Sequence, residues 1–302
     1  MQVKTRQYNH NEDYQKISEF LNKYYLPGNK DRNWLEPSWE YAIFHPALDA
    51  EHMDHWRIWE NEDEIVALAH YEWRMGEGFF EFHPDFHYLR QEMLDYAEEN
   101  LTGISTKDGR RFLCAYINDN NQPFLDLVKQ RGYEQDPSES RPLYSFSKEE
   151  KLEEITLPDG YSLISLADEC DWSKVHRVLW RGFNHPGEPP AGEDELISRQ
   201  KMFDTPKARR DLKIAVKAPN GDFVAFCGMF YEDQHQYGYV EPVATDPDYR
   251  RMGLGKAAVL EGVRRCIALG AKEVFVGSDQ KFYKSIGFTK EYITEAWVKY
   301  FD

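Results

Sequence analysis

The sequence predicts an α/β fold made of two tandem domains, and two observations support this prediction. Short runs of β-branched and aromatic residues alternate with amphipathic helical patterns along the whole chain of 302 residues. The same order of elements occurs twice, and a charged linker at residues 147–154 separates the two copies. We therefore predict domains at residues 1–149 and 150–302, each of ordinary domain size.

The first half begins with a predicted strand at residues 3–8 and closes with one at residues 143–146. Asn11 is expected to cap its first helix. Apolar residues at helical spacing predict helices at residues 11–24, 37–46, 88–101 and 122–131. Runs of β-branched and aromatic residues predict further strands at residues 56–60, 65–73, 78–82 and 111–117.

The second half repeats this order of elements. Strands are predicted at residues 161–164, 212–216, 223–230, 239–245, 273–276 and 297–301. Helices are predicted at residues 172–183, 196–203 and 257–267, and a short one around Phe282.

The chain carries 53 acidic and 37 basic residues, and most of its net charge of −16 lies in the first half. This balance argues against nucleic acid as a partner. A solvated acidic surface is the simpler interpretation, and attraction of a cationic substrate is the alternative. No apolar run has the length of a membrane span, and the first residues contain no apolar signal-peptide core. Together with four scattered cysteines, these features predict a cytoplasmic protein without membrane contact.

Residues 239–258 carry the pattern around which the second half is organised: a strand, a loop and a helix. Gly253 and Gly255 lack a Cβ, so an anion can approach the backbone where the first N–H groups of the helix have no partners. Positive charge is added by Arg250, Arg251 and Lys256. The pattern predicts a diphosphate site, although its spacing is neither that of a P-loop nor that of the dinucleotide GxGxxG motif.

Two ordered motifs resemble those of the GNAT superfamily of acetyl-CoA-dependent N-acetyltransferases. Residues 250–255, RRMGLG, are similar to its Gln/Arg-x-x-Gly-x-Gly/Ala signature, and residues 282–288, FYKSIGF, are similar to its Phe-Tyr-x-x-x-Gly-Phe motif. The resemblance implies that each domain is a mixed, mostly antiparallel, twisted sheet flanked by helices. It also implies acetyl-CoA as the acyl donor, with no metal.

The resemblance further implies a set of residues that contact the donor. The amides of Val243 and Thr245 would bond its acyl carbonyl and pantetheine arm, beside an irregularity at Pro242. The full predicted set is Val243, Ala244, Thr245, Arg250, Arg251, Met252, Gly253, Leu254, Gly255, Lys256, Ala257 and Ser278. One departure from the family is a short segment before the second motif, where Ser278 or Asp279 would replace an Asn.

Glu241 and Tyr283 are the predicted catalytic residues. An alkylamine is protonated at neutral pH, so a base must remove a proton, and Glu241 lies on the central strand where the family often carries a catalytic Glu. Tyr283, in the second motif, is the predicted acid that protonates the leaving thiolate. The structural alternatives are a Glu bonded across the sheet and a Tyr packed in the core beside Phe282.

The first half retains none of the useful positions. An offset of 163 residues places the segment 83–86 on the segment 246–249. Arg90 and Glu92 then stand where the second half has its two loop glycines, and a glycine replaces Glu241. We therefore predict a degenerate GNAT-like domain at residues 1–149 that serves in packing and in shaping a substrate cleft.

Weaker patterns complete the prediction. The pairs His52/His55 and His83/His87 have spacings that a metal could use, but neither has a clear third ligand, so no metal site is predicted. The tryptophans of the first half are expected in the core. Candidates for contact with the acceptor are His185, Glu188 and Asp194.

The sequence thus predicts an acyltransferase that moves an acetyl group from acetyl-CoA to a small-molecule amine, as a monomer or a homodimer. The alternative is a non-catalytic acyl-CoA-binding or regulatory protein. Such a protein would retain residues 250–256 and would not require Glu241 or Tyr283.

Overall fold

The computed structural model describes residues 3–190 and 192–302. It has the predicted α/β architecture, in two compact units. Unit 1 consists of Met1–Ile43, Ala47–Leu143 and Glu291–Asp302. Unit 2 consists of Phe44–Pro46 and Tyr144–Lys290. The predicted boundary between residues 149 and 150 follows the sequence repeat, whereas unit 1 takes in the last twelve residues of the chain.

The strands are β1 (Lys4–Gln7), β2 (Arg57–Asn61), β3 (Glu64–His70), β4 (Glu77–Phe82), β5 (Gly103–Ile104), β6 (Arg111–Asn118), β7 (Glu134–Gln135), β8 (Arg141–Ser147), β9 (Ser162–Ser165), β10 (Lys213–Lys217), β11 (Phe223–Glu232), β12 (Tyr237–Thr245), β13 (Glu273–Val276) and β14 (Thr289–Phe301). The α-helices are α1 (His10–Tyr24), α2 (Glu36–Phe44), α3 (Arg90–Asn100), α4 (Gln122–Gln130), α5 (Trp172–Gly182), α6 (Glu193–Phe203), α7 (Leu254–Ala268) and α8 (Lys281–Ser285). Short 3-10 helices lie at Ala50–His55, Pro84–Leu89, Arg210–Leu212 and Pro247–Tyr249.

The sheet of unit 1 has the strand order β1-β2-β3-β4-β6-β14. Its neighbours are antiparallel except for β4 and β6, which are parallel and pair only at Glu77↔Cys114 and Gly78↔Ala115. Beyond these two pairs β4 and β6 diverge. Helix α1 is capped by Asn9 and not, as predicted, by Asn11, because the helix already begins at His10.

The sheet of unit 2 has the order β8-β13-β12-β11-β10-β9 and follows the same plan. Only β12 and β13 are parallel, and they pair from Tyr237↔Glu273 to Val240↔Val276. Helix α7 packs closely on this sheet, since a Cβ at Gly262 would lie 2.6 Å from the side chain of Met229. Most of the core of unit 2 is aliphatic and lies between α7 and the sheet.

Several elements are longer than predicted, among them α7 and β14. Helix α7 begins at Leu254 and not at residue 257, because the left-handed Gly253 ends the loop and Leu254 is already buried. Strand β14 begins at Thr289 and not at residue 297, and from Thr294↔Asn118 onward it pairs along β6.

Other sequence expectations concern the cysteines, the histidine pairs and membrane contact. All four cysteines are free thiols, and Cys170 alone of them is exposed. His83 caps the 3-10 helix Pro84–Leu89 through its Nδ1. Within residues 3–190 and 192–302, no three His, Cys, Asp or Glu side chains are grouped so that they could hold a metal ion. None of the helices in this described part is long and apolar enough to cross a membrane.

The assignment of β14 to unit 1 can be tested at Ala296, which is fully buried and lies opposite Tyr116. A carboxylate at this position would be buried without a partner, so we expect Ala296→Asp to lower the free energy of unfolding of unit 1 by roughly 2–5 kcal/mol. Hydrogen exchange should show lost protection in β6 and retained protection in β11 and β12. Lys290→Asp, at an exposed position, is the control. Unchanged protection of β6 would contradict the assignment.

Candidate functional site

The predicted site residues converge at one end of β12. Two residues, Glu241 and Pro242, stand opposite the single Gly228 of β11, so β12 bulges at this point. A Cβ at Gly228 would lie 2.3 Å from the Glu241 carbonyl oxygen, so only glycine fits opposite the bulge. The irregularity predicted beside Pro242 is present. Its effect is to place Glu241 where β12 leaves β13.

Beyond the bulge, β12 has one paired edge and one edge that β13 does not cover. The Asp246 N–H donates to the Val224 carbonyl, and this bond shows which residues of β12 direct their N–H groups toward β11. Because donors alternate between the two edges of a strand, Val243 and Thr245 direct their N–H groups away from β11. These are the two amides predicted to bond the acyl donor.

The chain then turns through a left-handed loop into α7. Arg251 has φ 68° and Gly253 has φ 81°, and Gly253 is the N-cap residue of the helix. The first N–H groups of a helix have no partner within it, and the helix dipole adds positive potential. Gly255 brings this end against β12, since a Cβ there would lie 2.7 Å from the Thr245 hydroxyl oxygen. The corner is therefore a place where an anion can bind backbone donors.

The three predicted cations of the loop differ in their surroundings. The Arg250 guanidinium donates to the carbonyls of Thr245 and Gly182 and to the Asn184 side chain, so it fixes the loop to α5. The Lys256 ammonium lies 2.5 Å from Glu153. Arg251 is exposed beside the helix end. Of the remaining loop residues, Met252 is exposed, whereas Leu254 and Ala257 are buried in the base of α7.

Glu241 and Tyr283 share one electrostatic environment. Tyr283, on α8, is buried against Phe282 and Phe288, at ring-centroid distances of 4.9 and 5.7 Å. Burial raises the pKa of the Tyr283 phenol, and the charges of Cys227 and Glu241 raise it further. Burial likewise raises the pKa of the Cys227 thiol, with Glu241 adding to the effect. Tyr283 therefore stays protonated near Glu241 at neutral pH.

Ser278 follows the end of β13, in the short segment that departs from the family pattern. Its hydroxyl accepts the Gln280 N–H at 3.4 Å and is half-buried, whereas Asp279 is exposed. Ala244 points to the opposite face of β12 from Val243 and Thr245, and a Cβ at Gly182 would lie 2.6 Å from the Ala244 Cβ. Ala244 therefore packs against α5.

The sequence prediction missed a buried ion-pair network that supports the loop. Asp246 is fully buried and accepts from Arg181 at 2.6 and 3.1 Å and from Arg177 at 3.4 Å. Arg181 also reaches Asp248 at 2.6 Å. The signal was available: two arginines four residues apart lie on one face of α5, and two aspartates flank Pro247.

The predicted acceptor residues take separate positions. Glu188 pairs with Arg177 and Arg181 of the network. The ring of His185 stacks on Trp180 at 4.5 Å. Asp194 lies in the first turn of α6 and is exposed. Of these three residues, Glu188 contacts the ion-pair network that supports the loop.

Unit 1 shows a different arrangement at the equivalent corner. The 3-10 helix Pro84–Leu89 runs directly into α3, with no glycine loop between them. Glu92 lies in the first turn of α3 and accepts the Trp59 indole N–H at 2.8 Å. Arg90 bonds Asn121 at 3.1 Å. A carboxylate thus stands at the helix end where an anion would bind.

Comparison with known families identifies the second half. Residues 172–289 match the family described as Acetyltransferase (GNAT) family. The match runs from the first residue of α5 to the first residue of β14. The matched residues include the bulge, the glycine loop and α8. The predicted resemblance of the second half to the GNAT superfamily is confirmed over these residues.

Known relatives agree with this assignment. A protein of Pseudarthrobacter chlorophenolicus named Mycothiol acetyltransferase is 26% identical over 212 residues, which cover 64% of this chain and 62% of the relative. The match thus spans less than two thirds of that relative's length.

Two solved structures share the fold over nearly the whole chain. A GCN5-related N-acetyltransferase from Sphaerobacter thermophilus has a TM-score of 0.63 at 15% identity, covering 99% of this chain and 95% of that one. A tandem GNAT protein from the clavulanic acid biosynthesis pathway has a TM-score of 0.67 at 11% identity, covering 99% and 98%. The chain therefore shares its fold with a tandem GNAT structure.

The Arg181–Asp246 pair yields a test of the loop support. Arg181→Met leaves the buried Asp246 carboxylate with the longer Arg177 ion pair and the Asp248 N–H, so we expect a loss of about 3 kcal/mol in unfolding free energy. Asp246→Asn in the same chain should recover part of the loss, because the buried charge is removed. Chemical denaturation measures both. Equal stability of Arg181→Met and the parent would contradict a supporting role.

The same pair predicts a pH dependence. Burial acts to raise the pKa of Asp246, but the hydrogen bonds and charges of the arginines outweigh it and hold the pKa below its usual value. A lowered carboxyl pKa stabilises the folded state above the unfolded pKa of about 3.9, and the contribution is lost as the pH falls through the folded value. Denaturation curves of Asp246→Asn should lack this part of the acid destabilisation.

Proposed function

We propose that unit 2 binds acetyl-CoA at the corner of β12 and α7 and transfers its acetyl group to the amine of a small molecule. The observation that carries this proposal is the uncovered edge of β12, which leads through the left-handed Gly253 into the free N-terminus of α7. The edge offers donors for a carbonyl and an amide chain, and the helix end offers donors for a diphosphate. The match of residues 172–289 to the GNAT family supports the same donor.

The residues present fit acetyl-CoA in both charge and access. The N–H groups of Val243 and Thr245 would hold its carbonyl groups, and those at the start of α7 would hold its diphosphate. Arg251, exposed beside Gly253, would add charge at the phosphates. Arg250 acts indirectly, because its guanidinium fixes the loop to α5. Bound acetyl-CoA supplies an activated acyl group, and the chain supplies proton transfer and polarisation.

Glu241 would act as the base, directly or through water. It accepts a proton from the acceptor ammonium, so that the neutral nitrogen can attack the thioester carbonyl. The Val243 N–H stabilises the negative charge that develops on the carbonyl oxygen. The C–N bond forms, the C–S bond breaks, and the sulfur leaves with the bonding electron pair.

Tyr283 would donate to the departing sulfur. Its raised pKa keeps the phenol protonated, and its burial keeps the hydroxyl out of bulk water. The thiolate takes the proton, and the acylated nitrogen gives up its second proton to water. Tyr283 regains a proton from solvent, so the products are the amide and the free thiol. A relative named Mycothiol acetyltransferase supports acetyl transfer as the reaction, and we propose no particular acceptor for this chain.

Turnover of two variants tests the catalytic roles. Glu241→Gln and Tyr283→Phe should each lower kcat by a factor on the order of 10²–10⁴, with little change in acetyl-CoA affinity. Glu273→Gln on β13 and Tyr231→Phe on β11 are matched controls in unit 2. Thiol release measured over a panel of amines gives the rate, and calorimetry gives the affinity. If both variants match the parent in turnover, the proposed roles are wrong. Binding without turnover in the parent would favour the non-catalytic alternative.

The pH profile tests the assignment of Tyr283. An ordinary tyrosine has a pKa of about 10, and the pKa of Tyr283 lies above this value. Ionisation of this phenol should therefore cause no loss of rate below about pH 10. Tyr283→Phe should therefore lower kcat by the same factor across neutral and moderately alkaline pH. A ratio of parent to variant rate that falls steeply between pH 7 and 9 would contradict the assignment.

A further inference from the structure

Unit 1 also has two parallel strands that diverge. The backbone groups on the edge that is left uncovered are hydrogen-bonded by a side chain of the same chain. Strand β4 leaves β6 after Gly78, as β12 leaves β13 after Val240. The His83 N–H donates to the Val66 carbonyl, just as the Asp246 N–H donates to Val224 in unit 2. His83 in unit 1 is therefore equivalent to Asp246 in unit 2. It follows that Phe82 occupies in unit 1 the position of Thr245 in unit 2.

The uncovered edge at Phe82 is bonded by the side chain of Asn33. The Phe82 N–H donates to the Asn33 Oδ1 at 2.8 Å, and the Asn33 Nδ2 donates to the Phe82 carbonyl at 3.0 Å. In a strand the N–H and C=O of one residue point to the same edge, so a single carboxamide can satisfy both. Since Phe82 offers one donor and one acceptor, the orientation of the Asn33 amide is fixed.

Residues 29–34, which we call the inner segment, are held in place by further buried bonds. The Asn29 Nδ2 donates to the Asn33 carbonyl at 2.9 Å and to the Tyr292 hydroxyl at 2.5 Å. The Trp34 N–H donates to Glu81 on β4 at 2.7 Å. Asn29, Asn33 and Glu81 are each 3% exposed or less. A mobile loop would not bury two of its own polar side chains and bond a buried carboxylate of β4.

We infer that the inner segment acts as a built-in substitute for the ligand in unit 1. Asn33 presents to β4 the amide that an acyl-CoA arm would present to β12, and unit 1 therefore binds no acyl-CoA. This inference rests on the proposed function for the position of the donor in unit 2. Glu92 at the start of α3 independently disfavours a diphosphate there. One chain then binds one acetyl-CoA, at unit 2.

Hydrogen exchange with residue resolution tests the inference in the intact chain. Without ligand, the Phe82 amide should exchange slowly, because it is bonded, and the Val243 and Thr245 amides should exchange faster. Saturating acetyl-CoA should slow exchange at Val243 and Thr245 at least about tenfold and leave Phe82 unchanged. Calorimetry should give one acetyl-CoA per chain, and Gly253→Glu should abolish it. Slower exchange at Phe82 on adding acetyl-CoA, or two molecules bound per chain, would overturn the inference.

Variants of Asn33 test the substitute itself. Asn33→Ala removes both bonds and should speed exchange at Phe82 at least about tenfold, whereas Asn33→Asp retains an acceptor for the N–H and should have a smaller effect. Asn120→Ala, at an exposed asparagine of the same unit, is the control. Unchanged exchange at Phe82 in Asn33→Ala would also overturn the inference. Failure of the proposed function gives a different result: Val243 and Thr245 would not respond to acetyl-CoA, while the Asn33 variants behave as expected.

Discussion

A backbone N–H or C=O that is taken out of water needs a hydrogen-bond partner, and this constraint is sharpest where two parallel strands part. In both units the central strand loses its parallel neighbour after a few pairs. The residues beyond that point keep one paired edge and present donors along the other. In unit 1 a carboxamide from the same chain bonds this edge at Phe82. In unit 2 the equivalent edge adjoins the bulge, the glycine loop and the start of α7.

The other features of the unit 2 site are arranged around that edge. Gly228 permits the bulge that places Glu241 at the point of divergence. Gly255 lets α7 approach Thr245, and Gly182 lets α5 approach from the opposite face. Asp246 and Arg181 then hold the turn between strand and helix. Close backbone approach, more than any single charged side chain, defines the geometry of the corner.

Much of the fold followed from the sequence, because both periodicity and the order of elements repeat. The strand, glycine loop and helix at residues 239–268 were recognisable from β-branched residues, two glycines and helical spacing. The family followed from two short motifs, since glycines and aromatic residues at fixed positions reflect local backbone geometry. The bulge at Pro242 was also anticipated, because proline cannot donate to a ladder.

Contacts between residues distant in sequence could not be predicted. Nothing local to Asn33 indicates that it bonds Phe82, since the two are brought together only by the packing of unit 1. Residues 294–296 of β14 have no strand pattern of their own and pair with β6. The sequence places Arg181 on a helix, but it does not show that its partner is Asp246, which lies on another element. Short-range chemistry is visible in a sequence, and long-range pairing is not.

The place of β14 has a consequence for the order in which the protein forms during synthesis. Unit 1 pairs Arg111 with Phe301, and all of Tyr144–Lys290 is translated between these two residues. On the ribosome, unit 2 can complete its own sheet while β6 still lacks its neighbour. An unpaired strand edge can pair with other chains, so nascent unit 1 exposes such an edge on β6 until β14 is made. The first unit to be made is thus the last to be finished.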